Sequence, residues 1–381
     1  MEESVALALD LVRFDTISPP GTEEACAAHL AALLREAGLA VTEHAFAPGR
    51  TSLIARLAGT DAALAPLVFT GHLDTVPLGS ATWSVDPFGE IRDGRLYGRG
   101  TSDMKAGVAA FVAAVVARAR TAPAPARGIT LVLTAGEETG CRGAADLARQ
   151  DVLAEASGLV VAEPTANRLA LAHKGALHLR ARTRGATAHG SMPDLGDNAV
   201  LKATRAAEAL RGFAIDLPAH PLLGAPTLAV TSLHGGEAVN VIPDSCTFTL
   251  DLRTLPGQDH AATLDRLREA MGPEVALDPP LADLPAVGTA PDDPFATAAA
   301  RIVREVGPGA GGKIGEVIGE VIGLPYFTDG SVLQGAYGGC PTVILGPGEP
   351  GQAHQTDEWC ATDAIVTAER IYAALIRDWC R

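Results

Sequence analysis

The sequence predicts an α/β fold that is interrupted by a smaller, inserted α+β domain. Short apolar, β-rich runs alternate with helix-like segments over the first 174 residues, a pattern typical of a sheet covered by helices on both faces. The stretch that follows alternates apolar and polar residues instead, as half-buried strands of an antiparallel sheet do. At 381 residues the chain is also long for one hydrophobic core, so two domains are expected.

The amino-terminal part supplies most elements of the larger predicted domain. Residues 2–38 read as two helices separated by a break at Ser18-Pro19-Pro20-Gly21. A further helix is expected to follow Asp103. The predicted ranges are strands at 51–57, 67–71, 129–134 and 158–162, and a helix at 104–120.

The pattern changes after about residue 174 and changes back near a proline-rich junction at 279–285. The larger domain is therefore expected to be discontinuous, with residues 1–174 and 286–381 on either side of an insert at 175–285. That insert of roughly 110 residues has an ordinary domain size. A short echo within 314–321 is too brief for a solenoid repeat. The predicted ranges are strands at 177–183, 227–233, 247–253 and 341–345, and a helix at 197–211.

Charge and cysteine content exclude several classes of function. A formal net charge of -15 argues against nucleic acid and against anionic membrane surfaces as partners. The six cysteines are scattered without a CxxC pair, which disfavours a disulfide framework and fits a reducing compartment. There is no signal-peptide pattern and no apolar run of the ~20 residues that a membrane span needs. We therefore expect a cytoplasmic protein.

Acidic residues and histidines follow the ends of the predicted strands. In an open α/β sheet, ligands bind at the carboxyl ends of the strands, so these side chains are expected to share one crevice. Asp103 adds a further acid after the glycine-rich segment 98–102. The residues that follow the four strands are His72 and Asp74, then Glu137 and Glu138, then Glu163, and finally His354.

Four or five carboxylates in one crevice are strongly unfavourable, because like charges raise each other's pKa. Two divalent cations would remove the conflict. One bridging carboxylate, with one histidine and one carboxylate for each metal, makes a co-catalytic site with the metals about 3.5–4 Å apart. Imidazole and carboxylate are ligands that suit zinc and its neighbours.

Each of these residues also has a structural explanation. Asp103 is a candidate helix N-cap, and Glu137-Glu138 fits a solvated loop. His354 fits a surface histidine and His72 a core histidine whose hydrogen bonds are satisfied. Their order after successive strands makes it improbable that all of these explanations hold together, so the joint pattern favours a metal site.

Six motifs along the chain resemble those of the co-catalytic zinc aminoacylase and carboxypeptidase family, which includes acetylornithine deacetylase and succinyl-diaminopimelate desuccinylase. They span nearly the whole chain in the family's order. Within the family, the segments at 173–175 and 340–348 resemble those of acetylornithine deacetylase more closely. The motifs are Gly71-His72-Leu73-Asp74-Thr75-Val76-Pro77, the segment 97–105, Glu137-Glu138, Glu163-Pro164-Thr165, the segment 235–243, and Ala353-His354-Gln355-Thr356-Asp357-Glu358.

The resemblance implies a mixed-sheet, zinc-peptidase-like catalytic domain with an inserted lid that also mediates dimerisation. It implies that Asp74 orients His72 and that Glu137 is the general base. The commoner Asp-Met-Lys-Gly-Gly is here Asp-Met-Lys-Ala-Gly, with Ala106, which should be harmless in a helix. The implied metal ligands are His72 and Glu163 for one metal, Glu138 and His354 for the other, and Asp103 as the bridge between them.

The resemblance also implies residues that contact the substrate. His189 would stabilise the oxyanion, reaching the site from the partner subunit of a dimer, and Asn240 would lie near the substrate carbonyl. Arg253 would hold the substrate carboxylate with its guanidinium fork. Gly330 and Ser331 would line the substrate pocket. The alternatives are a loop histidine, a strand-face salt bridge for Arg253, and a simple turn at 328–331.

The expected function is a dinuclear zinc amidohydrolase that removes an acyl group from the nitrogen of an amino acid. A metallocarboxypeptidase or dipeptidase would use the same metals, base and arginine, and remains the alternative. A non-catalytic relative is disfavoured by the intact Glu137, Asp103 and ligand set. The expected cofactors are two Zn²⁺ ions, with Co²⁺ or Mn²⁺ also compatible. The expected partners are a small N-acyl amino acid or short peptide and a second copy of the chain.

Overall fold

A computed structural model describes residues 1–121, 123–215, 217–308 and 321–381. The chain divides into two compact units. The larger unit contains residues 1–172, 288–323 and 328–381, and the smaller unit contains 173–287 and 324–327. The echo noted within 314–321 lies outside the described residues except for Val321. Within the described ranges, no helix is both long and apolar enough to cross a membrane.

In chain order, the α-helices of the described residues are α1 (Glu3–Val12), α2 (Glu24–Glu36), α3 (Ala106–Ala119), α4 (Arg142–Arg149), α5 (Ala199–Leu210), α6 (His260–Met271), α7 (Pro294–Val306), α8 (Gly330–Ala336) and α9 (Thr362–Trp379). Of these, α5 and α6 belong to the smaller unit and the other α-helices to the larger one.

The strands of the described residues form three sheets. Their bounds are β1 (Ala40–Ala47), β2 (Arg50–Leu57), β3 (Leu67–His72), β4 (Glu90–Arg92), β5 (Arg95–Tyr97), β6 (Ile129–Thr134), β7 (Gly158–Val161), β8 (Ala170–His173), β9 (Gly175–Arg184), β10 (Thr227–Gly235), β11 (Ser245–Thr254), β12 (Val275–Leu277), β13 (Ala282–Leu284), β14 (Val287–Gly288), β15 (Ile322–Leu324), β16 (Thr342–Ile344) and β17 (Trp359–Ala361).

The main sheet is mixed and has the order β1-β2-β6-β3-β7-β16-β8-β14, with β15 beside β8. Its centre is parallel, because β3 pairs in parallel with both β6 and β7, and β16 pairs in parallel with β7. The flanking strands β2 and β8 run antiparallel to it. Every residue of β3, β6 and β7 is buried, which explains why these strands read as continuous apolar runs. The predicted α/β fold with a mixed sheet is confirmed.

Helix α3 packs closely against the main sheet. It is apolar nearly all round, as expected of a helix covered on more than one side. A Cβ atom on Gly107 would lie 2.2 Å from the carbonyl oxygen of Ala162, so this position requires glycine. Ala106 is buried within the same first turn at ordinary helical angles, so the alanine found in place of glycine is accommodated.

The smaller unit is an α+β structure. Its sheet has the order β10-β11-β9-β12, with β13 also paired to β9, and all of its pairings are antiparallel. One face of the sheet packs against α5 and α6 around a core that includes Leu179, Phe248 and Leu250. Strands β9 and β11 alternate between buried and partly exposed residues, which is the pattern that their sequences predict.

The segment before α3 differs from the prediction. The helix begins at Ala106 rather than at residue 104, and Thr101–Lys105 form an irregular turn ahead of it. Asp103 has extended backbone angles (φ -121°, ψ 89°), a cis peptide bond joins it to Met104, and it caps no helix. Its side chain is therefore available for contacts other than helix capping.

Candidate active site

Three parallel strands of the main sheet end beside three of the candidate metal ligands and the candidate base. Strand β3 ends at His72, β6 ends three residues before Glu137, and β7 ends two residues before Glu163. Because β6, β3 and β7 are parallel neighbours, their carboxyl ends lie at the same edge. These side chains therefore lie in one region of the larger unit.

His72 lies at the centre of this region and is buried. Its Nδ1 lies 2.9 Å from the main-chain carbonyl of Asp74, so Nδ1 carries the hydrogen and donates it there. This leaves Nε2 facing two carboxylates, Asp103 Oδ1 at 3.1 Å and Glu163 Oε1 at 3.9 Å. An imidazole held in this tautomer presents a lone pair of the kind that binds a cation.

Asp103 lies between the two histidines. Its Oδ1 faces His72 Nε2, and its Oδ2 lies 3.4 Å from Nε2 of His354. His354 Nε2 is also 3.1 Å from Glu138 Oε1. Candidate ligand atoms of His72, Asp103 and Glu138 all lie within 4.8 Å of one another. The five residues His72, Asp103, Glu138, Glu163 and His354 are called the ligand cluster below.

The Asp74 carboxylate has a different main contact from the one expected. Its distance to His72 Nδ1 is 3.7 Å, and the close contact to that nitrogen comes from the Asp74 main chain instead. The carboxylate accepts hydrogen bonds from three consecutive N–H groups, those of Gly136, Glu137 and Glu138, at 2.9, 3.1 and 3.2 Å. Asp74 therefore fixes the loop that carries the two glutamates as well as the imidazole ring.

Glu137 is buried beside the ligand cluster, and its Oε1 accepts a weak hydrogen bond from Cys141 Sγ at 3.9 Å. Burial raises the pKa of Glu137 well above its usual value. The positive charge of His72 opposes that shift, while Glu163 and Glu138 add to it. A carboxylate with a raised proton affinity is suited to taking a proton from a reacting group.

Burial, neighbouring charge and hydrogen bonds also shift the pKa values of Glu163, Asp103 and His354. Burial also raises the pKa of Glu163 well above its usual value, and Asp103 raises it further. Burial would raise the pKa of Asp103, but hydrogen bonds from His354 and His72 outweigh it and lower that pKa. Hydrogen bonds with Asp103 and Glu138 raise the pKa of His354 to about 10.

The donor set fits divalent cations. Four carboxylates (Asp103, Glu137, Glu138 and Glu163) surround two imidazoles, and without metals the histidines supply the positive charge by holding protons. Carboxylate oxygens and imidazole nitrogens are the ligands that zinc and similar metals take in hydrolases. Cations in place of those protons would balance the excess negative charge.

His189 and Asn240 lie on two adjoining loops of the smaller unit. The Gly190 N–H donates to the Asn240 carbonyl at 2.7 Å, and His189 forms a β-bridge with Val241. The His189 ring is exposed, with Nδ1 2.8 Å from Ser191 Oγ. The structure therefore brings these two predicted substrate residues together.

Arg253 forms the strand-face salt bridge that was the alternative to substrate binding. Its Nε lies 2.9 Å from Asp251 Oδ1, and Nη2 donates to Oδ2 at 3.1 Å. The two residues are two apart on β11 and so point to the same face of the sheet. A substrate carboxylate would have to compete with Asp251 for this guanidinium.

Gly330 and Ser331 begin α8, where Thr328 closes a turn by accepting from both of their N–H groups. The intervening Asp329 is buried and accepts a hydrogen bond from Thr134 at the end of β6. Burial raises the pKa of Asp329 to about 6. The turn is thus attached to the strand that leads into the Glu137 loop, a contact that the sequence pattern does not predict.

Two other buried charges were not singled out from the sequence. Arg99 and Glu358 form an ion pair at 2.6 Å between segments that lead to Asp103 and His354. Both lie inside motifs that carried the family resemblance, at 97–105 and 353–358. Their shared position next to candidate ligands was the available signal, since a charged residue within such a motif needs a partner when it is buried.

An α/β fold whose parallel strands end at a cluster of two histidines, one buried and one exposed, and several carboxylates is that of a metal-dependent hydrolase. The chain belongs to peptidase family M20/M25/M40, whose family model matches residues 68–378. These findings confirm the resemblance noted from the motifs and the class of metal-dependent amidohydrolase.

Individual relatives agree with this assignment. An acetylornithine deacetylase from Edwardsiella ictaluri is 32% identical over 332 residues, covering 83% of this chain and 80% of the relative. An M20 family metallo-carboxypeptidase from Sulfolobus solfataricus has the same fold at 17% identity, with a TM-score of 0.79 and 99% of each chain covered. A dinuclear metal binding peptidase of the M20 family from Bacillus subtilis matches with a TM-score of 0.72 at 16% identity, covering 99% of this chain and 97% of that one.

Proposed function

We propose that this protein is a two-metal amidohydrolase that releases an amino acid from its N-acyl derivative. The observation that carries the proposal is the position of Asp103. Each of its carboxylate oxygens faces a different histidine, and a glutamate lies beside each histidine, Glu163 by His72 and Glu138 by His354. This arrangement supports one shared carboxylate and two half-sites, each with one histidine and one glutamate.

The proposed half-sites would hold one divalent cation each, and Zn²⁺ is the first candidate because the donors are nitrogen and oxygen. When bound, such ions polarise a substrate carbonyl and lower the pKa of water. Glu137 would take a proton from the attacking water as its oxygen bonds to the carbonyl carbon. The same carboxyl would then give that proton to the nitrogen as the C–N bond breaks, leaving a carboxylate and a free amine.

Residues of the smaller unit would complete the reaction. His189 would donate a hydrogen bond to the oxyanion that develops on the substrate carbonyl, and Asn240 would contact the same group. Arg253 would bind the substrate carboxylate by exchanging its contact with Asp251 for the ligand. In the larger unit, Gly330 and Ser331 would line the substrate pocket, supported by the attachment of their turn to β6.

The substrate class is the first prediction to test. The acetylornithine deacetylase relative supports N-acetylornithine as the preferred substrate. We expect N-acetylornithine to be hydrolysed with a kcat/KM at least about 10-fold above that of N-succinyl amino acids and unblocked dipeptides, which corresponds to roughly 1.4 kcal/mol of transition-state discrimination. Amine release from a matched panel, with and without chelator, checks this. Faster hydrolysis of dipeptides would identify a dipeptidase or carboxypeptidase instead.

We further propose a homodimer formed through the smaller unit. Strand β10 is an edge strand of its sheet and exposes Val230 and Leu233. Leu201, on the adjacent helix α5, is 55% exposed. An exposed edge strand with apolar side chains is a template for pairing with a second chain, and two-fold symmetry would pair β10 with its copy. The loops around His189 also expose Leu195 and Val239, which supports a role in contacting another surface.

A mixing experiment tests whether His189 acts from the partner subunit. His189→Ala and Glu137→Ala are each expected to lose most activity. If His189 acts across the dimer, each mixed dimer contains one site with both residues intact, so an equimolar mixture that exchanges subunits should recover about one quarter of wild-type activity. Activity after exchange and mass by light scattering check this. A mixture that forms mixed dimers but stays inactive would show that His189 acts within its own chain.

A cytoplasmic location is also proposed. The six cysteines are all unpaired and buried in the described structure, which supports a reducing compartment. Fractionation of cells that produce the tagged protein would check this directly.

A further inference from the structure

The carboxylate of Glu358 is completely buried and accepts four hydrogen bonds. Its Oε1 accepts from the main-chain N–H groups of Ser102 and Asp103 at 2.8 and 3.1 Å. Its Oε2 accepts from the Gly100 N–H at 3.0 Å and from Arg99 Nη1 at 2.6 Å. One side chain near the carboxyl end of the chain therefore holds the turn that carries Asp103.

Arg99 contacts the two segments that carry the candidate histidine ligands. Its Nη1 also donates to the carbonyl of Gln355 at 3.1 Å, and its Nη2 reaches the carbonyl of His354 at 3.5 Å. Nη2 donates to the Pro77 carbonyl at 3.2 Å, and the guanidinium lies 5.2 Å from the centre of the Trp83 ring. Arg99 thus contacts the segment that follows His72 and the segment that contains His354.

Together these two side chains connect three segments that are distant in sequence. The segments are 72–77, 98–103 and 354–358, and each carries one residue of the ligand cluster. All of these contacts lie within the larger unit. A hydrogen-bonded ion pair with no access to water has a defined geometry, because both charges lose stability if either moves away.

We infer that Arg99 and Glu358 are positioning residues that set the separation of His72, Asp103 and His354 and so control how tightly the ligand cluster binds metal. They touch no reacting atom. They act through the main chain of the ligand segments, as outer partners of metal ligands do in general. The inference rests on the proposed function, because it takes the ligand cluster to be a metal site.

The test is metal binding by Glu358→Gln, measured on metal-free protein by calorimetric titration with Zn²⁺ and by the visible absorption of bound Co²⁺. Glutamine keeps the size of the side chain, but its NH₂ group must face an N–H donor or Arg99. The affinity for the more weakly held metal should fall about 10- to 100-fold, which is the usual effect of losing an outer partner of a ligand. In fully loaded protein, kcat should fall while KM changes less than about threefold, because substrate contacts are intact.

Arg99→Lys provides a second variant in case Glu358→Gln does not fold. Lysine keeps a positive charge opposite Glu358, but a single nitrogen cannot reproduce the fork that reaches Gln355 and Pro77 together. We expect an intermediate loss of metal affinity in a protein with a native circular dichroism spectrum. Unchanged metal affinity in this variant would overturn the inference.

Arg127→Lys is the matched control. Arg127 is partly buried in the larger unit, donates to the carbonyls of Trp379 and Ala65 at 3.0 and 2.6 Å, and lies 5.5 Å from the centre of the Trp379 ring, so its contacts are of the same kind as those of Arg99. Trp379 and Ala65 lie outside the three segments. We expect its melting temperature to fall as in Arg99→Lys, with metal affinity unchanged. Equal weakening of metal binding in both variants would mean general destabilisation and would overturn the inference.

The wild-type protein separates this inference from the proposed function. If it binds about two metals per chain and Glu358→Gln binds them equally tightly, the positioning role fails while the proposed function stands. If the wild-type protein binds no divalent metal, both fail.

Discussion

Replacing Glu137 with glutamine is expected to lower kcat by about 10²- to 10⁴-fold, the range in which general acid–base catalysis contributes. The amide cannot accept a proton from the attacking water or return it to the leaving amine. The side chain has the same shape, and its backbone N–H would still be held by the Asp74 carboxylate, so the loop should not move. Metal content, measured by mass spectrometry on dialysed protein, should stay at wild-type level.

Glu138→Gln is the matched control, because it changes the adjacent residue in the same way on the same loop. Glu138 Oε1 lies 3.1 Å from His354 Nε2, whereas Glu137 Oε1 accepts a weak hydrogen bond from Cys141 Sγ. We expect Glu138→Gln to bind less metal and to recover part of its rate when metal is added in excess. Glu137→Gln should not respond to added metal. A Glu137→Gln variant with near-normal kcat would rule out its role as the base, and one that has lost metal would make it a ligand.

The sequence predicted the candidate site best where a ligand residue comes soon after the end of a buried strand. Buried parallel strands read as uninterrupted apolar runs, so the ends of β3, β6 and β7 were predicted to within a few residues. Because parallel strands end at one edge, the proximity of His72, Glu138 and Glu163 followed from topology alone. The strand-end pattern constrains the position of His354 less closely, since His354 lies ten residues beyond the end of β16.

The sequence was least informative about contacts that depend on main-chain geometry. Asp74 was expected to contact His72 through its carboxylate, but the loop at 136–138 presents three N–H groups to that carboxylate instead. The pairing of Arg99 with Glu358, 259 positions apart, is set by how the turn before α3 folds. Neither contact has a periodicity or spacing by which the sequence would reveal it.

Removing the metals is expected to abolish turnover and to destabilise the protein more at pH 8 than at pH 6. The hydrolysis rate of chelator-treated protein should fall to background, and it should return when Zn²⁺, Co²⁺ or Mn²⁺ is added back. The rate effect follows from losing the groups that activate water and carbonyl. The stability effect follows from protons and metals competing for the same ligands.

The direction of the pH effect follows from the shifted pKa values of the metal-free protein. Burial raises the pKa values of Glu137 and Glu163 in the folded protein. The stabilisation that comes from keeping these two groups protonated is therefore fully present below pH 4.5, their usual pKa, and decreases as the pH rises. The pKa of His354 is raised from 6.5 to about 10, and its contribution is likewise lost above pH 6.5. The lowered pKa of Asp103 adds stability that is already complete above pH 3.8, so it does not change between pH 6 and 8.

Metal-free protein should therefore melt at a lower temperature at pH 8 than at pH 6, whereas metal-loaded protein should change little because its ligands are already deprotonated. At pH 8, free metal at about 1,000 times its dissociation constant would stabilise the fold by about 4 kcal/mol, and at pH 6 proton competition would reduce this. Calorimetric melting of both forms at the two pH values measures the gap in melting temperature between metal-loaded and metal-free protein. A gap that is constant, or wider at pH 6, would mean that the ligand cluster does not exchange protons for metal. The buried carboxylates would then need another source of positive charge, and the two-metal proposal would fail together with the pH prediction.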